Sequence, residues 1–282
     1  MNHLFCFGFG YTAQVLAAEL DPTLWKISGT CRSPETTEEI ETKGFHPFLF
    51  DKLTRVPDEV THILSSVPPG DADDPVLRKF GDSIEKQGRW TGYLSTTGVY
   101  GDRQGGWVDE ETLINPQSSR AQKRARAETE WSNFNAHIFR LPGIYGPGRS
   151  QLDSVLDGSA KRVVKPGHVF CRIHVGDIAG VLRSSMQQPN PGRIYNVADD
   201  EPCPPQDVVA YAAKLLGREP PPEIPYDQAV LSPMARSFYD ESKRVSNARI
   251  KSELAYRLKY PDYRAGLEAI LRTSPRQPAP RG

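Results

Sequence analysis

No excess charge of either sign marks this chain. Lysine and arginine total 35, aspartate and glutamate total 35, so the basic footprint usual in a nucleic-acid-binding protein is missing. The local exception, Lys123-Arg124-Ala125-Arg126, reads either as a basic patch or as a solvated helix face. No apolar run is long enough to cross a bilayer. The opening MNHLFCFGFG lacks a basic region ahead of a long apolar stretch, so no targeting segment is expected and a cytoplasmic location is. The four cysteines, Cys6, Cys31, Cys171 and Cys203, are scattered with no C-x-x-C or zinc spacing, which implies reduced, buried thiols. The six histidines form no H-E-x-x-H pair, and no metal site is expected. Nucleic acid, membrane and metal thus drop out as expected partners, leaving a small molecule.

What is present is a rhythm. Short apolar runs alternate with helical patterns: HLFCF, then a helix with Leu16, Ala17 and Leu20 on one face; a second strand from Trp25 to Thr30; an acidic exposed helix around Glu35 to Lys43; strands in FHPFLFD and THILSSVPP; a helix in PVLRKFGDSIEKQG; a fifth strand in RWTGYLSTTGVYG; a long helix from Ser118; and a sixth strand in AHIFRLPGIYGPG. That alternation predicts an α/β fold, a Rossmann-type doubly wound parallel sheet with helices on both faces. After residue 150 the rhythm changes. One more strand, Ile194 to Val197, is followed by an amphipathic helix with Val208, Val209, Ala212, Leu215 and Leu216 as its stripe, then two short closing helices. The expected division is a Rossmann domain of residues 1–150 plus about 172–200, and a smaller lobe of about 151–171 plus 201–270. The 25 prolines concentrate after Pro189, and the tail 271–282 is expected to be disordered.

The segment GFGYTA, Gly8 to Ala13, matches G-x-G-x-x-A. Gly8 allows a tight turn, Gly10 lets backbone approach a pyrophosphate, Ala13 keeps strand and helix close, and the free N–H groups of the following helix face the phosphates. The alternative is an ordinary glycine turn. Tyr11 and Thr12 belong to the same loop, and Ser66 after the fourth strand joins the expected cofactor site. At the end of the second strand, where an NAD site places an acid on the ribose, this chain has Arg32 and Ser33. A guanidinium there suits a 2′-phosphate, which favours NADP over NAD. The competing reading leaves Arg32 exposed and gives the ribose to Glu35 or Glu38. Asp51, after the third strand, is placed to reach the adenine side.

GFGYTA, LSTTGVYG, RLPGIYGPG, IHVGDIAG and IYNVADDEP occur in that order. Together they resemble the extended and atypical short-chain dehydrogenase/reductases, the NAD-dependent epimerase/dehydratase-like group, over about residues 3 to 270. The resemblance implies that Thr96 orients a substrate hydroxyl or carbonyl, and that Leu141, Pro142, Gly143 and Ile144 receive the nicotinamide end. It also implies a Tyr and, four residues later, a Lys on the helix from Ser118, with an Ala-Glu four residues beyond the Lys. That marker is Ala127-Glu128, which puts Arg124 at the Lys position and Arg120 at the Tyr position. No tyrosine lies between Tyr100 and Tyr145, so no other register restores the pair. Arginine stays protonated and cannot exchange a proton near neutral pH, but it can hold an anion.

Arg120 and Arg124 therefore either face the cleft together and favour an anionic ligand, or turn outward to surface acids such as Glu128. Tyr100 and Tyr145 either replace the missing tyrosine or pack the cleft loops. His174 and Asp177 read as structural, with substrate contact as the alternative. The family's phosphate-binding Arg, four residues before that His, is Phe170 here, which tells against a nucleotide sugar. Two functions remain: an NADP-dependent (or NAD-dependent) oxidoreductase or epimerase-like enzyme acting on a small carbonyl or hydroxyl substrate, and a non-catalytic NADP-binding sensor or partner-binding module. By analogy with the family, a homodimer through two core helices is expected.

Overall fold

Residue alternation along the first strand decides the layers. In a computed structural model, which describes residues 1–85 and 88–273, β1 (Asn2–Phe7) sends Leu4 and Cys6 to one face of a sheet and Phe5 and Phe7 to the other. All four are fully buried, as a strand covered on both faces requires. Leu4 and Cys6 share a core with Leu16 and Ala17 of α1 (Tyr11–Ala18), and with Ile178 and Leu182 of a later helix, Val175–Gln187. Phe5 and Phe7 pack with Val76 and Phe80 of a helix at Pro75–Ile84, and with Ala127 and Trp131 of another at Ser119–Ser132.

In chain order the sheet strands continue as β2 (Trp25–Cys31), β3 (His46–Leu49), β4 (His62–Ser65) and β5 (Trp90–Thr96). A two-residue strand β6 (Trp107–Val108) is followed by β7 (His137–Leu141), β8 (Gly143–Tyr145), β9 (Arg162–Val164), β10 (Arg172–His174), β11 (Ile194–Asn196), β12 (Glu223–Pro225) and β13 (Arg244–Val245). Seven of them form the main sheet in the order β11-β7-β5-β4-β1-β2-β3, every pairing parallel. The chain reverses direction across the sheet between β1 and β4, which opens a crevice at their carboxyl ends where such sheets bind ligands. The other strands pair off as β10–β8, β12–β9 and β13–β6.

The helices between them are α2 (Pro34–Thr42), α3 (Pro75–Ile84), α4 (Ser119–Ser132), α5 (Gln151–Leu156), α6 (Val175–Gln187), α7 (Pro205–Leu215), α8 (Pro233–Ser237), α9 (Ala248–Glu253) and α10 (Tyr263–Thr273). A separate apolar cluster joins Leu152 and Val155 of α5, Val208, Val209 and Ala212 of α7, and Leu267 and Ile270 of α10.

Several boundaries differ from the sequence reading. The expected sixth strand is two: the chain leaves the main sheet at Pro142, which has no N–H for a ladder, and β8 pairs with β10 instead. The first helix stops at Ala18, so Leu20 is buried from the turn beyond it. The helix α10 runs to Thr273, past the expected start of the tail; the remaining tail residues, 274–282, lie outside the described residues.

Candidate active site

At the carboxyl end of β1, Gly8 takes a left-handed backbone (φ +83°), a conformation that costs any other residue about 1–2 kcal/mol. A side chain there would also meet Ser66 Oγ at 2.8 Å. Ser66 follows β4, and its hydroxyl donates to the Gly8 carbonyl (2.8 Å), so the two strands that flank the crevice are tied at its floor. Gly10 begins α1 with no side-chain cap, and a Cβ added to it would meet nothing within 4 Å. The first turn of α1 is thus left without a side-chain cap for its N–H groups, the arrangement that receives a phosphate. Thr12 and Ala13 are buried beneath this turn. Tyr11 leaves it for the far wall: its hydroxyl donates to the Pro147 carbonyl (3.1 Å), and its ring lies under the Arg149 guanidinium at 5.9 Å. A Cβ on Gly146 would sit 2.4 Å from Tyr11 Oη, so glycine at 146 lets the ring lie there.

Arg32 lies one residue past the end of β2 and is exposed. Ser33 is spent locally: its hydroxyl caps α2 by accepting from Thr36 N–H. Glu35 is bound to that helix start, where its own backbone N–H and the Ser33 hydroxyl hold its carboxyl below the usual range. Asp51 is exposed, and its carbonyl accepts from Lys79 Nζ (2.9 Å).

A cavity of about 700 Å³ opens at the ends of β5 and β7. Thr96, Pro142, Gly143 and Ile144 form its sheet side, and Arg120 of α4 and Arg149 stand on its walls. Leu141, the last residue of β7, is buried under it. Thr96 Oγ1 accepts from the Gly98 N–H (3.1 Å), which leaves the hydroxyl proton free to be donated to a ligand. Across the cavity lies the segment Ser237–Lys243. Phe238 meets the Arg120 guanidinium at 5.8 Å and the edge of Phe170 at 5.9 Å. Lys243, nine-tenths buried, donates to Glu241 (2.6 Å).

The two arginines of the missing pair part company. Arg120 reaches the cavity. Arg124 does not: its Nη1 donates to the Leu94 carbonyl (2.7 Å) and the Tyr93 hydroxyl (3.0 Å), which binds α4 to β5. The reason is the register of α4, fixed from below. Glu128 is not a surface acid but 5% exposed, and it takes Arg140 of β7 in a two-toothed pair (Nη2–Oε2 2.7 Å, Nε–Oε1 3.1 Å). Ser95 also donates to it, at 2.5 Å. Arg140 continues to the Tyr100 hydroxyl (2.9 Å), which donates to Asn196 Oδ1 (2.8 Å). Tyr100 is fully buried in this network, and burial raises its phenol pKa, so it stands in the core rather than in the cleft. Tyr145 is held likewise: it packs edge-on against His174, and its hydroxyl donates to the Asp262 carbonyl. His174 caps α6, accepting from Gly176 N–H, while Asp177 accepts from the Tyr256 hydroxyl and from the N–H groups of Lys259 and Tyr260.

The basic run on α4 is tied down too, Lys123 to Asp71 and Arg126 to the Asp71 carbonyl (2.6 Å). Sequence reading missed Arg149 and Lys243 as cavity groups. Arg149 stands directly beyond the LPGIYGPG segment and was within sight; Lys243 carries no local signal. Among the described residues no cluster of metal-ligating side chains occurs, and no helix is long and apolar enough to cross a membrane.

No known family model matches the sequence. A conserved protein of unknown function from Silicibacter pomeroyi DSS, known as a solved structure, is 52% identical, with 96% of this chain and 99% of that one covered at a TM-score of 0.92. Protein YeeZ of Escherichia coli K12 is 26% identical over 278 residues, 90% of this chain and 95% of YeeZ. The human epimerase family protein SDR39U1, solved with NADPH, is 15% identical, with 96% of this chain and 100% of that one covered at a TM-score of 0.73. The chain belongs to one family with the Silicibacter pomeroyi protein, and its fold is that of the extended and atypical short-chain dehydrogenase/reductases, the epimerase/dehydratase-like group.

Proposed function

We propose that the protein binds a nicotinamide dinucleotide, NADP in preference to NAD, and acts as an oxidoreductase on a small carbonyl or hydroxyl compound. The observation that carries this is the uncapped Gly8–Ala13 turn, opening at the same sheet edge as the cavity at Thr96. The residues fit the cofactor. The open space at Gly10 suits a pyrophosphate, and exposed Arg32 at the end of β2 suits a 2′-phosphate. Glu35, the competing ribose ligand, is engaged at the start of its own helix. Fold relatives carry either cofactor, human SDR39U1 solved with NADPH and the Bacillus anthracis dTDP-glucose 4,6-dehydratase with NAD, so they support a nicotinamide dinucleotide and leave the preference to rest on Arg32.

A reduced nicotinamide bound there would supply hydride. The chain's own part is to hold the substrate: Thr96 Oγ donates to a substrate oxygen, and Pro142 and Gly143 close the sheet side of the cavity. Proton exchange by a Tyr-Lys pair is absent, because both positions hold arginine, a side chain that does not exchange its proton near neutral pH, and Arg124 is bound to β5. That same absence favours a second reading, a cofactor-binding protein without turnover.

Calorimetric titration with NADPH, NADH, NADP and NAD tests the cofactor. Consumption of the tightest-binding reduced form against aldehydes, ketones and 2-oxo acids then separates the two readings. Equal affinity for NADP and NAD sinks the preference, and binding without turnover across the panel supports the second reading.

A further inference from the structure

We propose that the cavity takes an anionic substrate, its carboxylate or phosphate held between Arg120 and Arg149. The inference rests on reading the cavity as the substrate end of a nicotinamide site. Both residues line it. Among the described residues neither forms an ion pair with an acid, and neither donates a side-chain hydrogen bond. Elsewhere on the same helix and its neighbouring strand the arginines are spent, Arg124 on Tyr93 and Leu94, Arg126 on the Asp71 carbonyl, Arg140 on Glu128.

Arg120 and Arg149 are instead braced by aromatic faces, Phe238 at 5.8 Å and Tyr11 at 5.9 Å. A guanidinium lying on a ring keeps its fork of N–H donors pointing sideways, ready for two oxygens of a carboxylate or phosphate. The acids on the cavity wall do not cancel the pair: Glu241 is engaged by Lys243, which leaves Asp240 alone against two arginines. Where the resembling family places its substrate-phosphate arginine this chain has Phe170, which lines the same cavity and packs against Phe238, so the anion is left to arginines at other positions. The sequence offered Arg124 as the partner of Arg120; the structure withdraws it and puts Arg149 on the cavity wall instead.

Malonate and inorganic phosphate, titrated calorimetrically into the full chain with and without saturating NADPH, test this. At least one of them is expected to bind at a single site in both conditions. Arg120→Gln and Arg149→Gln should each weaken it about 10- to 100-fold, the loss of one charge-assisted contact. Arg120→Lys should weaken it less, and Arg55→Gln, a remote surface change, not at all. No binding tighter than about 10 mM by the wild type overturns the proposal. So does unchanged affinity in both glutamine variants with wild-type melting temperatures. Displacement of the anion by NADPH also overturns it, assigning the arginines to the cofactor's phosphates. NADPH is titrated alone as well: if it fails to bind, the cofactor reading falls, while the anion titration into the free protein still decides this site.

Discussion

Replacing Glu128 with alanine should be among the most damaging single changes outside the apolar core. Glu128 and Arg140 are 5% and 4% exposed, and the pair shares three hydrogen bonds of 2.7–3.2 Å. The substitution leaves Arg140 charged in a site nearly closed to water and removes the acceptor of Ser95. Breaking a buried pair from one side costs about 3–5 kcal/mol, which for a chain of this size lowers the melting temperature by roughly 6–20 °C. Circular-dichroism melts and urea midpoints would measure it. The double change Glu128→Leu with Arg140→Met leaves no unpaired charge and should lose much less, since apolar replacements of buried pairs are often neutral. A single Glu128→Ala variant melting within about 2 °C of the wild type would refute the reasoning, because Arg140 would then have found water or another acid at little cost.

Arg32→Ala should weaken NADP by about 1–3 kcal/mol and leave NAD nearly unchanged, as read by calorimetry. Gly8→Ala forces a side chain into a left-handed turn and against Ser66 Oγ; a loss of about 1–3 kcal/mol in stability is expected, together with loss of dinucleotide binding. Acid should weaken the fold through its buried histidines. Burial lowers the pKa of His3, His168 and His174 to about 4 in the folded chain, against 6.5 when unfolded. At these three groups the unfolded state therefore binds more protons between those values, so their contribution to stability is full above pH 6.5 and is lost as pH falls toward 4. Urea midpoints that stay flat from pH 7 to pH 4.5 would contradict this.

Much of the fold was legible because its signals are local. Strand–turn–helix at Gly8, the alternation of apolar runs with helices, and the amphipathic stripe of α7 each depend on neighbours within a few residues, and periodicity reports them. The Ala127-Glu128 marker directed attention to Arg120 and Arg124, which do lie four apart on one helix. It could not tell that Glu128 turns inward, because its partner Arg140 is on another element and the choice between a surface acid and a buried pair is made by packing. The fates of the two arginines diverged for the same reason. Residues four apart share a helix face, but that face is wide enough for Arg120 to meet the cavity while Arg124 meets the Leu94 carbonyl. Arg149, Phe238 and Lys243 come to the cavity from segments separated by up to 123 residues from Arg120. Only the closure of the chain sets them around one space, since the sequence encodes each local turn while the sites between elements arise from how those elements pack.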